Sequence, residues 1–280
     1  MQEPVIRKLD RHFVPKVWGV DRLPPQFKAP SGERIGEVWF TPPPQLDALL
    51  VKFLFASERL SIQNHPGDAD ARAMGLGPCG KSECWVIVDA EPGATIAAGF
   101  REELDAGTVR SAALDGSIVE LLVWHAVSPG DCFFIPAGTV HAVGGGVSLI
   151  EVQQNTDITF RLYDYGRPRE LHLDQAVGVA VPGPYLASNR GRIDDGRQPL
   201  CEGEHFRLAA LTSGTRDAIR DWHGAALVIP FSGHAELPGG SLDMGECAFV
   251  PEIARLEFAG DATLLVAQAV AQAEAWGEYS

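Results

Sequence analysis

From residue 49 onward the chain is a succession of short apolar runs broken by Gly and Pro. Residues 51–55, 60–63, 84–89, 95–100, 117–127, 131–135, 147–153 and 159–163 have strand length. The punctuation between them is turn chemistry, as in Glu91-Pro92-Gly93 and Pro129-Gly130-Asp131. Runs of that length and spacing predict antiparallel strands of a sandwich or barrel. Before residue 49, Pro4, Pro15, Pro24, Pro25 and the three prolines at 42–44 exclude long helices, and 35–40 reads as a strand. Residues 68–74 are the best helical candidate, and 102–106 predict one short turn.

Periodicity is lost over 178–199 and returns at 206–212, 225–231, 234–237, 246–250, 254–258 and 263–269. Two units follow, 1–177 and 200–280, with 178–199 as a linker. The units echo each other: Gly130-Asp-Cys-Phe-Phe-Ile-Pro136 parallels Gly245-Glu-Cys-Ala-Phe-Val-Pro251. The first segment runs on to His141 and the second to Leu256, so the second unit reads as a degenerate β-barrel copy without the histidine. It is expected to wall the pocket and to hold no second metal.

Composition narrows the partners. With 280 residues, 45% hydrophobic and 21% charged, the chain is an ordinary globular sequence. A formal net charge of -14 argues against nucleic acid or an anionic membrane as partner. The five cysteines are odd in number and include no Cys-x-x-Cys pair, which points to a reduced, cytoplasmic setting rather than a disulfide framework. No apolar run is long enough to span a membrane, and the N-terminus carries no apolar leader.

The candidate chemistry centres on Leu60-Ser-Ile-Gln63-Asn-His65-Pro66. Gln63 and His65 are two apart, so an extended strand sends both side chains from one face. Gly130-x5-Pro136-x-Gly138-x2-His141 fits the second motif of the cupin barrels, with a turn that delivers His141 into the barrel. Glu83 stands on a strand, where a buried carboxylate without a partner would be costly. Taken singly, His141 reads as a hydrogen-bonded structural residue and Glu83 as a solvated strand end; together with the Gln-x-His pair they point to a metal. The donor set, nitrogen and oxygen without sulfur, suits Zn²⁺ and also Fe²⁺, Mn²⁺ or Co²⁺.

Several segments in order carry a family resemblance: Lys16-Val-Trp18-Gly19, Ile35-Gly36-Glu37-x-Trp39, Gly80-Lys81-x-Glu83-Cys-Trp85, Phe134-Ile-Pro-Ala-Gly-Thr-Val-His141 and Glu151-Val-Gln-Gln-Asn-Thr-Asp157-x-Thr-x-Arg161. With Tyr163-Asp-Tyr165-x-Arg167-Pro-Arg-Glu-Leu-His172, the chain resembles the short bacterial form of the type I phosphomannose isomerases. These are zinc-dependent cupin enzymes that interconvert mannose 6-phosphate and fructose 6-phosphate. The resemblance implies a mostly β fold of two cupin-type jelly-roll barrels, the second degenerate, with few short helices. It implies one Zn²⁺ held by Gln63, His65, Glu83 and His141. It also implies catalytic roles for Arg161, Lys81, Glu151 and Asp157, and a substrate phosphate held by Ser61 and Lys52. Departures are the absence of room for the helical domain of longer members and Val143 where some members carry an aromatic residue.

Moving a proton between adjacent carbons through an enediol needs a base, and Glu151 is the first candidate; Lys81 is the runner-up should burial lower its pKa. Arg161 is open to the plainer reading of an ion pair with Asp157, and Glu151 to that of an outward strand residue. The chain holds five lysines against eighteen arginines, so lysines at positions 52 and 81 suggest a use for a compact charge. His12, His125, His172, His205, His223 and His234 read as structural or surface residues. Two alternatives stay open: an Fe²⁺ cupin dioxygenase, and a non-catalytic sugar-phosphate-binding paralogue. The partner implied is a hexose phosphate, for a monomer or weak homodimer.

Overall fold

In a computed structural model, residues 6–30, 32–196, 198–213 and 217–270 are described. Most of the first unit is two antiparallel sheets. The larger has seven strands in the spatial order Arg190–Arg192, Asp131–Ile135, Glu83–Ala90, Val147–Gln154, Leu49–Ala56, Ile35–Phe40 and Arg11–Val20. The smaller runs Phe160–Tyr163, Ile62–Asn64, His141–Val143, Thr95–Phe100 and Leu122–Ala126. A six-stranded sheet, including Phe206–Thr212, Ala226–Ser232 and Thr263–Ala269, dominates the second unit. The chain is mostly β, as expected, and no described helix is long and apolar enough to cross a membrane.

The central strands of the seven-stranded sheet are buried on both faces, so they read in sequence as continuous apolar runs. Alternation still sorts them. Val51, Phe53 and Phe55 point to one side, where they join Phe206, Leu208, Leu227 and Leu265 of the second unit in one core. Phe27 packs edge-on against Phe53 and Phe55, with ring centroids 5.1 and 5.0 Å apart. Leu54, Trp85, Ile87 and Leu149 point the other way and meet Ile96, Ala98 and Val143 of the five-stranded sheet. The space between these two sheets holds the candidate site.

Several elements depart from the sequence reading. Residues 106–115 form a helix that the sequence reading, with only a short turn at 102–106, did not anticipate: Asp105 caps it by accepting from the Thr108 amide at 2.9 Å, and Gly116 ends it at φ +84°. With Leu173–Val179 it covers the outer face of the five-stranded sheet. Residues 117–127 split into a helical turn, Ile118–Leu121, and a strand, Leu122–Ala126. Residues 254–258 form no strand; Ile253–Arg255 is a 3-10 turn. The ten-residue strand Arg11–Val20 tolerates Pro15 because pairing with Ile35–Phe40 is interrupted there.

The boundaries at 177 and 199 are crossed by pairing. Arg190–Arg192, within the expected linker, adds a strand to the first unit's sheet, and Arg7–Lys8 pairs with Ala248–Val250 in the second. Residues 271–280 of the expected second unit lie outside the described residues. The sequence echo has a structural counterpart: Gly130 and Gly245 both sit at φ +89° ahead of the strands Asp131–Ile135 and Ala248–Val250.

Candidate active site

Two cross-strand rows face each other over a cavity of about 200 Å³. In the five-stranded sheet, Gln63 lies opposite Arg161 on one side and His141 on the other. In the seven-stranded sheet, Glu151 lies opposite Trp85 on one neighbour and Lys52 on the other, and Lys52 opposite Trp39. Glu83 precedes Trp85 by two residues, so it leaves the same face one step along.

His65, Glu83 and His141 form a buried group whose ligand atoms lie within 4.8 Å of one another. Each imidazole is oriented from behind: Nδ1 of His65 donates to the Ile158 carbonyl at 2.7 Å, and Nδ1 of His141 to the Thr139 carbonyl at 2.8 Å. A carbonyl can only accept, so the neutral rings turn Nε2 lone pairs toward the group. Burial, then the Lys81 charge, lowers the His65 pKa to about 3; burial also lowers His141 against the pull of Glu83. Both rings are therefore neutral at pH 7. Burial works to raise Glu83, but the Lys81 ammonium holds its carboxyl well below the usual range.

His65 Nε2 lies 3.2 Å from Glu83 Oε1 and His141 Nε2 lies 3.8 Å from Oε2. Lone pairs thus converge on a carboxylate; Lys81 Nζ, 3.5 Å from His65 Nε2, relieves one side, while Glu83 Oε2 is buried and accepts no hydrogen bond. A cation resolves that conflict, so the residues fit a divalent metal with a nitrogen/oxygen preference. Gln63 stands alongside, its amide nitrogen 3.4 Å from His141 Nε2 and its oxygen accepting from Ser61 at 3.0 Å. A half-turn of the amide would bring the oxygen to the group.

Lys81 joins this group to the larger row. Its ammonium pairs with Glu83 Oε1 and lies 4.0 Å from Glu151. Burial alone would lower its pKa, but the two carboxylates hold it above the usual lysine range. The condition for Lys81 as base, a lowered pKa, is not met. Glu151 moves the other way: burial, then the nearby Glu83 charge, raises its carboxyl despite Lys81 and Lys52. Its Oε2 accepts from the Trp85 indole at 3.0 Å, and Oε1 lies 3.4 Å from Lys52. Glu151 therefore faces the cavity rather than outward.

Arg161 and Asp157 both line the cavity but form no direct ion pair with each other, and Arg161 Nε is buried without a hydrogen-bond partner. Ser61 and Lys52 also line it; Lys52 is 2% exposed, held between Glu151 and the Trp39 ring. Sequence reasoning gave no role to Lys16, Trp18, Glu37, Thr159, Arg169 and His172, which share the wall. The signal for the first three was present, since they belong to the two N-terminal motifs. His172 was read as structural or surface; its Nδ1 accepts from the Arg161 amide at 3.2 Å, which folds its loop back over the strand. Arg169 is clamped by Asp164 through two bonds of 2.6 Å. The wall runs from Lys16 to His172 and, among the described residues, takes none from the second unit, which was expected to wall the pocket.

No family model matches the chain. Among curated proteins it is 44% identical over 141 residues to the mannose-6-phosphate isomerase ManA of Bacillus subtilis, an alignment covering 47% of this chain and 43% of ManA. It is 33% identical over 224 residues to the mannose-6-phosphate isomerase of Streptococcus mutans, covering 65% of this chain and 69% of that one. The chain therefore spans less than half of ManA and about two thirds of the streptococcal protein. The crystal structure of the Bacillus subtilis mannose 6-phosphate isomerase superposes with a TM-score of 0.74 at 25% identity, over 95% of this chain and 100% of that one. A zinc-bound mannose 6-phosphate isomerase shares the fold at 16% identity and a TM-score of 0.64, over 94% of this chain and 99% of that one. A site of converging imidazole and carboxylate donors, on a fold and sequence shared with these proteins, places the chain in the mannose-6-phosphate isomerase family.

Proposed function

We propose that the chain is an aldose–ketose isomerase that interconverts mannose 6-phosphate and fructose 6-phosphate with one Zn²⁺. The observation that carries this reading is the convergence of His65, His141 and the orphaned Glu83 oxygen beside Glu151, a second carboxylate with a raised pKa. His65, Glu83 and His141 would hold the metal, with the Gln63 amide oxygen as fourth donor. Bound there, Zn²⁺ would supply positive charge to the oxygens of the substrate as an enediolate develops.

The remaining work falls to the chain's own groups. Glu151 takes the proton from the carbon beside the carbonyl and returns it to the neighbouring carbon; its raised pKa suits both halves of that shuttle. Lys52 and Trp85 hold the two carboxylate oxygens of Glu151, which orients the carboxyl. Lys81 stays charged and serves as an electrostatic partner near the reacting oxygens. Arg161, with a free buried N–H, is positioned to donate to a substrate oxygen, and Asp157 at the rim can accept from a sugar hydroxyl. Ser61 and Lys52 offer donors to the phosphate. The chemistry belongs to 1–177, with 200–280 as a degenerate unit that supports the seven-stranded sheet from behind.

The test is direct assay of mannose 6-phosphate to fructose 6-phosphate conversion by the purified protein, with and without chelator. Turnover that chelator abolishes and Zn²⁺ restores supports the reading. Chelator-insensitive turnover removes the metal from it, and no turnover on any hexose phosphate favours a sugar-phosphate-binding role.

A further inference from the structure

Lys16 and Glu37 belong to the two N-terminal motifs, and the mechanism above does not use them. The backbone is shaped around the pair. A Cβ on Gly36 would lie 2.6 Å from Lys16 Cβ and Cγ and 2.7 Å from the Trp18 ring, while a Cβ on Gly19 would lie 2.5 Å from the Ile35 carbonyl carbon. The two glycines thus let Arg11–Val20 lie close over Ile35–Phe40, and Lys16 and Trp18 cross Gly36 into the cavity. There the Lys16 ammonium meets Glu37 Oε2 at 3.0 Å, and the same oxygen accepts from the Trp39 indole at 2.7 Å.

The cations of this wall differ in reach. Lys52, Lys81 and Lys16 each face a carboxylate, but the Lys52 and Lys81 side chains are 2% and 5% exposed, whereas that of Lys16 is 27% exposed and reaches the open end of the cavity. Strand order places Glu83, Glu151, Lys52, Glu37 and Lys16 on five successive strands, so Lys16 sits at the far end of the wall from the metal group. We propose that Lys16, held by Glu37 over the Gly36 gap, is a specificity-determining cation that takes the dianionic end of a phosphorylated substrate. The proposal rests on the sugar-phosphate reading of the site and adds to it a residue on the outermost strand. Glu37 acts through Lys16 as a positioning residue, because its carboxylate and the Trp39 indole fix where the ammonium stands.

The experiment compares wild type, K16M, K16R and E37Q as zinc-loaded full-length proteins, with K8M as a control for net charge. Lys8 is an exposed residue paired with Glu246, remote from the cavity. Inorganic phosphate is titrated calorimetrically into each, and KM and kcat for mannose 6-phosphate are measured separately. K16M is expected to weaken phosphate binding and raise KM about tenfold, the weight of one charge-assisted contact, with kcat within about threefold of wild type. K16R is expected to recover most of the loss, E37Q to weaken phosphate binding severalfold, and K8M to match wild type. Phosphate affinity equal in K16M and wild type overturns the proposal, as does loss in K16M of kcat rather than KM, and so does wild type that binds no phosphate. Lys16-dependent phosphate binding in a protein that turns over no hexose phosphate would leave this inference standing and sink the isomerase reading instead.

Discussion

Glu151 and Lys52 are directly opposed across two neighbouring strands, with the ammonium 3.4 Å from Glu151 Oε1, while the Trp85 indole holds the other oxygen. Both oxygens of a buried carboxylate are thereby oriented, as a proton carrier requires. Glu151→Gln keeps the shape and removes the proposed base. It is expected to lower kcat by roughly 10²- to 10⁴-fold, the usual contribution of a positioned acid–base group, with zinc still bound at one per chain. Near-normal turnover by this variant, with metal counted by emission spectrometry, would take Glu151 out of the mechanism.

The pH profile carries an independent check. Burial, then the Glu83 charge, raises the Glu151 carboxyl. With Glu151 as the proposed base, the active form is the ionised one, so activity is expected above the Glu151 pKa and lost as pH falls through it. The acid limb of kcat/KM should therefore inflect above the ordinary glutamate value of about 4.3. A limb at or below that value would assign the base elsewhere.

Metal removal should be felt in stability as well as turnover. The ligands are buried and Glu83 Oε2 lacks a hydrogen-bond partner, so a bound cation stabilises the folded state by mass action. Dialysis against chelator is expected to lower Tm by several degrees, and Zn²⁺ to restore it. His141→Ala should abolish that zinc-dependent shift. An identical Tm with and without zinc in the wild type would contradict the assignment of the site.

Gly36→Ala tests the close crossing of the two N-terminal strands. The new methyl would meet Lys16 at 2.6 Å, a distance that packed atoms do not tolerate. Displacement of the outer strand is expected to cost about 1–3 kcal/mol, measured by urea unfolding, together with a raised KM. A fully stable variant with unchanged kinetics would show that the crossing is looser than the structure has it.

How much of this could be read in advance depends on the kind of contact. The strands were legible because apolar runs bounded by Gly and Pro have one common outcome, and the clustering of Gln63, His65 and His141 was legible through two-residue alternation and a spaced Gly/Pro turn motif, with Glu83 marked only as a carboxylate on a strand. The helix at 106–115 was not, because its Ala, Gly and Thr residues make a weak apolar stripe; only Asp105, Thr108 and Gly116 marked its ends. Lys16 and Glu37 were visible as motif members yet silent as a pair, since their meeting depends on two glycines on separate strands. His172 needed the return of a loop onto Arg161, which no local pattern encodes. The packing of the second unit's described strands on the rear face of the seven-stranded sheet, away from the pocket, was equally hidden, because apolar strands do not say which face they cover.

The strand that carries Lys16 is also the last in its sheet, and Pro15 stands within it. A terminal strand offers backbone groups on which another chain could template, and proline deletes one donor from that row. The residue just before the cation of the cavity is thus one that makes the strand a poorer template for sheet-to-sheet association. Replacement of Pro15 would be paid for in solubility at high protein concentration rather than in the chemistry of the pocket.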